Sequence, residues 1–344
     1  MRSPRDFFQP LAVGAPAPLR TIPPVASRML HFFDPSNEKM VAKLPGLAPR
    51  VDVLLGNLED AVQASRKEAA REGLVQFART ADLGTTALWS RVNALNSPWF
   101  LDDVTRLVTE VGDRIDVLMI PKVEGPEDIQ FVDRLVAQLE AKAGLTRPVL
   151  VHAILETARG VANVEEICIA SPRLQGVSLG PADLAADRQM KTTAVGGGHP
   201  GYLVRTDAVD GDVHGRRATA QQDLWHYTIA RMVDACRMAG IHPYYGPFGD
   251  IADVVACEDQ FRNAYVMGCI GAWSLHPVQI EVARTVFTPD ADQVAWARRV
   301  VETLADGTGA SMVDGKMQDD ASYKQCQAIL AFADLVAERD AASA

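Results

Sequence analysis

Short apolar runs alternate along the chain with longer segments in which apolar positions recur every three to four residues. The short runs predict strands covered on both faces, and the longer periodic segments predict amphipathic helices. The predicted strands are 29–33, 51–56, 87–92, 116–120, 149–155, 174–180, 242–246 and 271–275. A strand–helix alternation repeated this often predicts an α/β fold of the (β/α)8 TIM-barrel type more than an open doubly wound sheet.

A dinucleotide-binding fold is disfavoured by the position of the glycine-dense sequence AVGGGHPGY (194–202). A phosphate-binding glycine motif lies in a tight turn between a strand and a helix. This sequence lies instead in a long polar segment, about 187–222, which we interpret as a loop insertion in the barrel.

The two ends of the chain differ from the barrel pattern. Residues 1–27 are rich in proline and lack periodicity, which predicts an extended N-terminal arm before a barrel domain spanning 28–305. Two helical patterns follow the last strand, and residues 306–344 form a further C-terminal helical segment whose start contains Gly307, Gly309 and Gly315. This segment is predicted to be either a hinged lid that closes over a site or a plain surface helix.

Composition excludes several classes of protein. The 344 residues carry a net charge of −10, whereas binding to nucleic acid or to an anionic membrane requires a basic surface. No secretory signal or membrane-spanning run is visible, so we expect a cytoplasmic protein. The five scattered cysteines lack metal-site or disulfide spacing and predict reduced, buried thiols.

Polar residues at the predicted strand ends carry the candidate chemistry, because the loops that follow barrel strands open on one face. These residues are Glu59, Asp60, Arg91, Lys122, Glu156, Asp183 and His276. If the strands are correct, they converge on a single mouth.

Glu156 and Asp183 follow consecutive strands in apolar surroundings. Two carboxylates, with the remaining positions left to water and substrate, are a common way of holding Mg²⁺. The alternative is that both are helix-capping or salt-bridged acids.

Two cations and one histidine at the strand ends also have alternative interpretations. Arg91 is placed to face an anion or enolate, and a salt bridge to Glu59 or Asp60 is compatible with that role. Lys122 is favoured as an ion-pair partner of neighbouring carboxylates over a Schiff-base lysine, because those carboxylates hold it protonated. His276, before Pro277, is interpreted as a possible helix cap.

The ordered motifs LLGNLEDAV, WSRVNALNSP, MIPKVEGP, AILETARGVANVEEI, SLGPADLA, GPFGD, WSLHPVQIEVARTVFTP and DGKMQDDAS resemble one known superfamily. It is the citrate lyase β-subunit and HpcH/HpaI aldolase superfamily, and the resemblance is strongest to its malyl-CoA lyase branch. It covers residues from about 20 to 340, and the insertion around GGGHPGY is similar to that of the longer members.

The resemblance implies a TIM barrel with a C-terminal lid, assembled into trimers or hexamers. It implies a Mg²⁺ cofactor, with Mn²⁺ as a possible substitute, held by Glu156 and Asp183. It also implies that Arg91 contacts the substrate and the developing enolate. The lid carboxylate, supplied by a neighbouring subunit as acid and base, corresponds to Asp319, and adjacent Asp320 leaves a one-residue ambiguity.

The resemblance further assigns the binding of CoA and substrate to side chains near the strand ends. The matching positions are Phe32, Lys39, Ala182, Ser274 and Leu275. The chain departs from many relatives after its first strand, where FFDPSNEKM lacks the arginine of a GPGSR-like phosphate loop.

The implied reaction is the reversible cleavage of L-malyl-CoA to acetyl-CoA and glyoxylate, with β-methylmalyl-CoA and citramalyl-CoA as further substrates. The expected partners are therefore an acyl-CoA thioester, a small 2-oxo acid and other copies of the chain. We expect Glu59 and Asp60 to orient Arg91 or waters on the metal. The alternatives are a malyl-CoA thioesterase and a non-catalytic CoA-binding protein.

Overall fold

The computed structural model of the protein describes residues 14–206, 208, 214, 215, 217–305 and 307–343. Eight parallel strands form its central sheet. They are β1 (Met29–Phe33), β2 (Val53–Asn57), β3 (Ala87–Arg91), β4 (Val117–Ile120), β5 (Leu150–Leu155), β6 (Leu174–Leu179), β7 (His242–Tyr244) and β8 (Ala272–Ser274). Each corresponds to a strand predicted from the sequence, with ends that differ by at most two residues.

The helices surround this sheet and continue beyond it. They are α1 (Glu38–Val41), α2 (Leu44–Leu47), α3 (Lys67–Thr80), α4 (Phe100–Val111), α5 (Pro126–Ala143), α6 (Ala158–Ala162), α7 (Val164–Cys168), α8 (Pro181–Asp187), α9 (His226–Ala239), α10 (Val254–Val266), α11 (Pro277–Val286), α12 (Ala291–Thr303) and α13 (Asp320–Ser343). Short 3₁₀ helices span Ala48–Arg50 and Ala64–Arg66.

The sheet closes on itself. Its strands are hydrogen-bonded in the order β8-β1-β2-β3-β4-β5-β6-β7. Across the remaining seam, the Tyr245 amide donates to the Gly271 carbonyl at 2.9 Å, and the Ile270 amide donates to the Pro243 carbonyl at 3.0 Å. The predicted (β/α)8 TIM barrel is therefore confirmed.

Alternation along each strand divides the apolar side chains between two layers. Leu54 packs between the sheet and the helices, whereas its neighbours Val53 and Leu55 face the barrel interior. The interior layer also contains Leu30, Trp89, Val117, Met119, Ile154, Tyr244 and Trp273. Both faces are covered, which explains why the strands are nearly continuous apolar runs in the sequence.

Local capping sets where the last barrel helix begins. Pro277 occupies the first turn of α11, where its missing N–H costs nothing. His276 is the N-cap, and its Nδ1 accepts the amide of Val278 at 3.3 Å. The capping interpretation of His276 is thus confirmed.

The N-terminal arm and the insertion lie outside the barrel strands. Residues 14–28 contain no helix or strand, and the Pro23 carbonyl lies 2.9 Å from Nε2 of His242, the first residue of β7. Residues 1–13 of the predicted arm lie outside the described residues. The insertion carries two antiparallel strands, Leu203–Arg205 and Thr219–Gln221; residues 207, 209–213 and 216 between them are not among those described.

The C-terminal segment has a small hydrophobic core of its own. This core joins α12, α13 and an antiparallel hairpin of Ser311–Val313 with Lys316–Gln318, and we call these three elements the appendage. The hairpin was missing from the sequence prediction. Its signal was present, because Asp314 and Gly315 form a two-residue turn with positive φ of 49° and 75° between short alternating runs.

Ion pairs at the floor of the barrel, the end opposite the mouth, anchor the end of α13. Arg28 Nη2 lies 2.6 Å from Asp340 Oδ1, and its Nε lies 2.9 Å from Asp52 Oδ2. Arg339 Nη1 lies 2.8 Å from the other oxygen of Asp52. Burial raises the pKa of Asp340, but the hydrogen bond and charge of Arg28 outweigh it and leave that pKa below its ordinary value.

Two predictions from composition can be compared with the structure. All five cysteines are buried free thiols, as expected. Among the described residues, no helix combines the length and apolar character needed to cross a bilayer.

Asp340→Asn is expected to lower the free energy of unfolding by about 1 kcal/mol at neutral pH. The effect is modest for two reasons. Arg28 retains its ion pair with Asp52 in the variant, and the side chain of Asp340 is 34% exposed, so that solvent screens its pair with Arg28. Since the native pKa of Asp340 is below its unfolded value of about 3.9, this stability is present above that pH and is lost as the pH falls through the native pKa.

Urea unfolding of both proteins across a pH series measures the difference. It should shrink below about pH 4. Asp334→Asn, at an exposed position of the same helix, is the matched control and should behave as wild type. A difference that stays constant at acidic pH would contradict this account of the anchor.

Candidate active site

The strand ends bring the predicted polar residues to one mouth. Arg91 is the last residue of β3, Lys122 lies two residues beyond β4, and Glu156 directly follows β5. Asp183 lies in the first turn of α8 after β6, and Glu59 and Asp60 follow β2. The contacts described below join these six, whereas the seventh predicted residue, His276, caps α11 and makes no hydrogen bond or ion pair with them in the part of the chain that the structure describes.

Lys122 lies at the centre of this cluster. Its Nζ is 2.6 Å from Glu59 Oε1, 3.0 Å from Asp60 Oδ2 and 3.6 Å from Asp183 Oδ1. Burial opposes its charged form, but the hydrogen bond to Glu59 and the nearby carboxylates raise its pKa above the ordinary value. A Schiff-base lysine needs a neutral amine, so the geometry favours the ion-pair role over the aldolase alternative.

The backbone of Lys122 also contributes to the site, through its conformation and its amide N–H. Its φ of 53° lies in the left-handed region, which is unfavourable for a residue with a Cβ. In this conformation the Lys122 amide donates to Glu156 Oε1 at 2.8 Å. Uncommon backbone conformations of this kind cluster at functional sites, where the surrounding structure holds them in place.

Glu156 is a nearly buried carboxylate, with 2% of the residue exposed. Burial raises its pKa to about 8, against the opposing effects of Arg91 and Lys122, and the charges of Asp183 and Glu59 raise it further. Its side chain fills the space beside Gly180, where an added Cβ would lie 2.7 Å from Glu156 Oε2. Only glycine at position 180 leaves room for the carboxylate.

Arg91 is held rigidly at the mouth. Its Nε donates to Asn57 Oδ1 at 2.8 Å, and its Nη2 donates to the Asp60 carbonyl at 3.0 Å. Its Nη1 lies 3.3 Å from Glu59 Oε2, which matches the salt bridge considered from the sequence. Sequence reasoning missed Asn57, although it ends β2 and therefore met the same positional criterion as Arg91.

Two aromatic rings lie under the guanidinium. Arg91 Cζ is 5.3 Å from the ring centroid of Phe32 and 5.9 Å from that of Trp273. These two rings are themselves 4.7 Å apart. Phe32, assigned to substrate binding by the resemblance, thus lies in the same site as Arg91.

The donor set at Glu156 and Asp183 fits a Mg²⁺ ion. Neither is a helix cap, because Thr157 caps α6 and Gly180 precedes α8. The salt-bridge alternative applies to Asp183, whose Oδ1 lies 3.6 Å from Lys122 Nζ. The carboxylate of Glu156 is confined beside Gly180, whereas the side chain of Asp183 is 39% exposed. Mg²⁺ is usually held by one or two carboxylates together with water and substrate oxygens, so two hard oxygen donors suffice.

The remaining predicted substrate contacts lie around the mouth with different exposure. Ser274 is buried and lies 3.1 Å from His31 Nδ1, while Leu275 is 37% exposed. Ala182 is in the first turn of α8 next to Asp183. Lys39 is exposed on α1, and the structure gives it no contact with the six mouth residues.

Asp319 is in the appendage. Its Oδ1 accepts the amides of Ala321 and Ser322, each at 3.1 Å, and so caps the start of α13. Asp320 instead pairs with Lys324 at 3.4 Å. Within the described part of the chain, neither carboxylate contacts the mouth of its own barrel.

The sequence was compared with known families and with characterised proteins. The family model of HpcH/HpaI aldolase/citrate lyase matches residues 28–277. The chain is 56% identical over 335 residues to the malyl-CoA/β-methylmalyl-CoA/citramalyl-CoA lyase of Chloroflexus aurantiacus, covering 97% of this chain and 96% of that protein. It is 38% identical over 327 residues to the L-malyl-CoA/β-methylmalyl-CoA lyase of Cereibacter sphaeroides (strain ATCC 17025 / ATH 2.4.3), covering 92% and 98%.

A solved structure has the same fold. It is the protein CitE from Mycobacterium tuberculosis in complex with magnesium, acetoacetate and coenzyme A, with a TM-score of 0.67 and 24% identity over 89% of this chain and 97% of that one. The barrel, the polar mouth and the match over most of the chain lead to one conclusion: the protein is an enzyme of the HpcH/HpaI aldolase/citrate lyase family.

Proposed function

We propose that the protein is a Mg²⁺-dependent lyase that reversibly cleaves L-malyl-CoA to acetyl-CoA and glyoxylate, and that β-methylmalyl-CoA and citramalyl-CoA are further substrates. The observation that carries this proposal is the mouth, where the buried Glu156, Asp183 and the fixed guanidinium of Arg91 lie around one lysine. The names and near full-length similarity of the two relatives support the substrate class.

Glu156 and Asp183 are the proposed ligands of the ion. Magnesium is present in the complex of the Mycobacterium tuberculosis protein, which supports the same choice here; Mn²⁺ is a possible substitute. When bound, Mg²⁺ supplies Lewis-acid stabilisation of oxygen charge on the 2-oxo acid fragment. The amide of Lys122 and the space at Gly180 keep the Glu156 carboxylate in one position, where it would hold the ion.

Arg91 is the proposed stabiliser of the acyl-CoA enolate that forms when the carbon–carbon bond breaks. Asn57, the Asp60 carbonyl and Glu59 already fix its guanidinium, so its charge needs little reorganisation as the enolate develops. Glu59 and Asp60 thereby orient Arg91, and together with Lys122 they balance charge at the mouth.

Asp319 is the proposed acid and base at the enolate carbon, acting on the site of a neighbouring subunit. In its own chain it caps α13, whose other end is anchored at the barrel floor by Asp340. The intervening helix of 24 residues is about 36 Å long. A trimer or hexamer in which each appendage covers the next mouth would bring Asp319 to the substrate and exclude water from the enolate.

We also place the enzyme in the cytoplasm. Its five buried free thiols are typical of a reducing compartment.

The products of malyl-CoA turnover test the proposed reaction directly. With Mg²⁺, the purified protein should release glyoxylate and acetyl-CoA without a matching amount of free thiol, and EDTA should abolish the release. Citramalyl-CoA, assayed in parallel, should release pyruvate. Free malate with stoichiometric thiol would identify a thioesterase instead, and no turnover of either compound would refute the proposed substrate class.

Glu156→Gln and Asp183→Asn are expected to weaken Mn²⁺ binding about 100-fold or more, because each removes an anionic oxygen ligand. Titration calorimetry or the Mn²⁺ electron paramagnetic resonance signal measures binding without reference to turnover. Glu127→Gln, at an exposed position on α5, is the control and should bind as wild type. Unchanged affinity in both site variants would show that the ion binds elsewhere.

Mixing two inactive variants tests whether Asp319 acts in a neighbouring subunit. Asp319→Asn and Glu156→Gln should each lack turnover. Hybrid oligomers made by co-expression should recover about a quarter of the wild-type rate, since half of the barrels and half of the appendages are intact and only one pairing in four joins both. If Asp319 acts within its own chain, the hybrids stay inactive.

A further inference from the structure

The interior of the barrel contains a β-bulge beneath the mouth. Val151 of β5 pairs with Leu174 of β6, but the next residue, His152, pairs with Gly176. Gln175 is therefore an extra residue in β6, and a bulge of this kind redirects its side chain. The Gln175 amide nitrogen lies 2.6 Å from His152 Nδ1.

From this bulge a series of buried polar contacts crosses the barrel. His152 Nε2 lies 2.7 Å from Ser178 Oγ on β6. The same oxygen accepts the indole N–H of Trp273, on β8, at 3.0 Å. His152 and Ser178 have no exposed surface, and Trp273 is 3% exposed.

The direction of these hydrogen bonds follows from burial. Burial lowers the pKa of His152 to about 3, so the ring is neutral and carries one N–H. The Gln175 amide donates to Nδ1, which places the ring proton on Nε2, where it is donated to Ser178. Ser178 Oγ thus accepts two N–H groups, one from each side of the barrel.

These contacts end at the aromatic support of Arg91. The Trp273 ring lies under the guanidinium, 5.9 Å from Cζ, and packs against Phe32 with an angle of 37° between the ring planes. The hydrogen bond to Ser178 therefore holds the N–H edge of the same indole whose face the guanidinium contacts.

We propose that Ser178, His152 and Gln175 are positioning residues that fix the Trp273 indole and, through it, the guanidinium of Arg91 for enolate stabilisation. The inference rests on the lyase function proposed above. It assigns a role in the reaction to buried side chains that cannot touch the substrate themselves.

The test compares Ser178→Ala, Trp273→Phe and the double variant. Ser178→Ala leaves two buried N–H groups without an acceptor, so its melting temperature should fall. The double variant removes one of those N–H groups but leaves the space of the larger indole ring unfilled, so its melting temperature should stay below that of wild type. We expect kcat for malyl-CoA to be about tenfold lower in all three variants, with KM nearly unchanged, because each removes the hydrogen bond that orients the ring under Arg91.

A purely structural role predicts a different pattern. In that case kcat would follow the melting temperature in every variant, including the control below, or the two single effects would multiply; either result overturns the proposal. Ser171→Ala is the matched control. Ser171 is a buried serine in the loop before β6 that donates to Asp133 at 2.8 Å, and its loss should lower the melting temperature without lowering kcat.

The indole proton gives a readout that does not depend on turnover. In ¹⁵N-labelled protein, the Trp273 Nε1–H resonance is identified by its absence from Trp273→Phe, and Ser178→Ala should shift it and speed its exchange with D₂O. An unchanged resonance overturns the proposed contact. If the wild-type protein has no turnover, both the proposed function and this role are overturned. If the wild-type protein is active but kcat of the variants follows their melting temperatures, this role alone is overturned.

Discussion

The burial of one carboxylate, Glu156, is the constraint on which the mouth depends. A charged carboxylate removed from water is unfavourable unless donors and opposite charges surround it. The chain supplies a backbone donor from Lys122 in a left-handed conformation, and two cationic side chains act on it from nearby strands. It also leaves a glycine where any larger residue would displace the carboxylate.

The same constraint explains why the surrounding charges are arranged as a network. Lys122 pairs with three further carboxylates, those of Glu59, Asp60 and Asp183, and Arg91 pairs with Glu59. Removing Arg91 or Glu59, whose side chains are buried, leaves the other without compensation where water screens little, whereas Asp60 and Asp183 are partly screened by solvent. The network therefore fixes positions at the mouth more than it stabilises the fold, as expected where function requires locally unfavourable groups.

The barrel and most of the mouth could be predicted from sequence because both follow from local pattern. Apolar runs mark the strands, and once the strands are placed, the residues after each one must meet at the same end. Glu156 and Asp183 were found in this way.

Other features depend on contacts between distant segments, and the pattern of apolar positions in the sequence carries no information about such contacts. The left-handed Lys122, the space at Gly180 and the bulge at Gln175 are of this kind. The appendage hairpin is a different case, because its Asp-Gly turn was visible in the sequence but lay in a segment interpreted as helix. The roles of the site residues, the appendage as a lid and the domain limits stay predictions.

The separate core of the appendage has a thermodynamic consequence. Ala297, Val300, Leu304, Val313 and Cys326 bury one another away from the barrel core, and ion pairs hold the end of α13 to the floor. Two cores joined in this way need not melt together, and the smaller has less buried surface to resist heat. If Asp319 acts as proposed above, warming would abolish activity while the barrel, with 106 of the 143 residues of the described helices, remained native, so circular dichroism would report only a partial loss of helix.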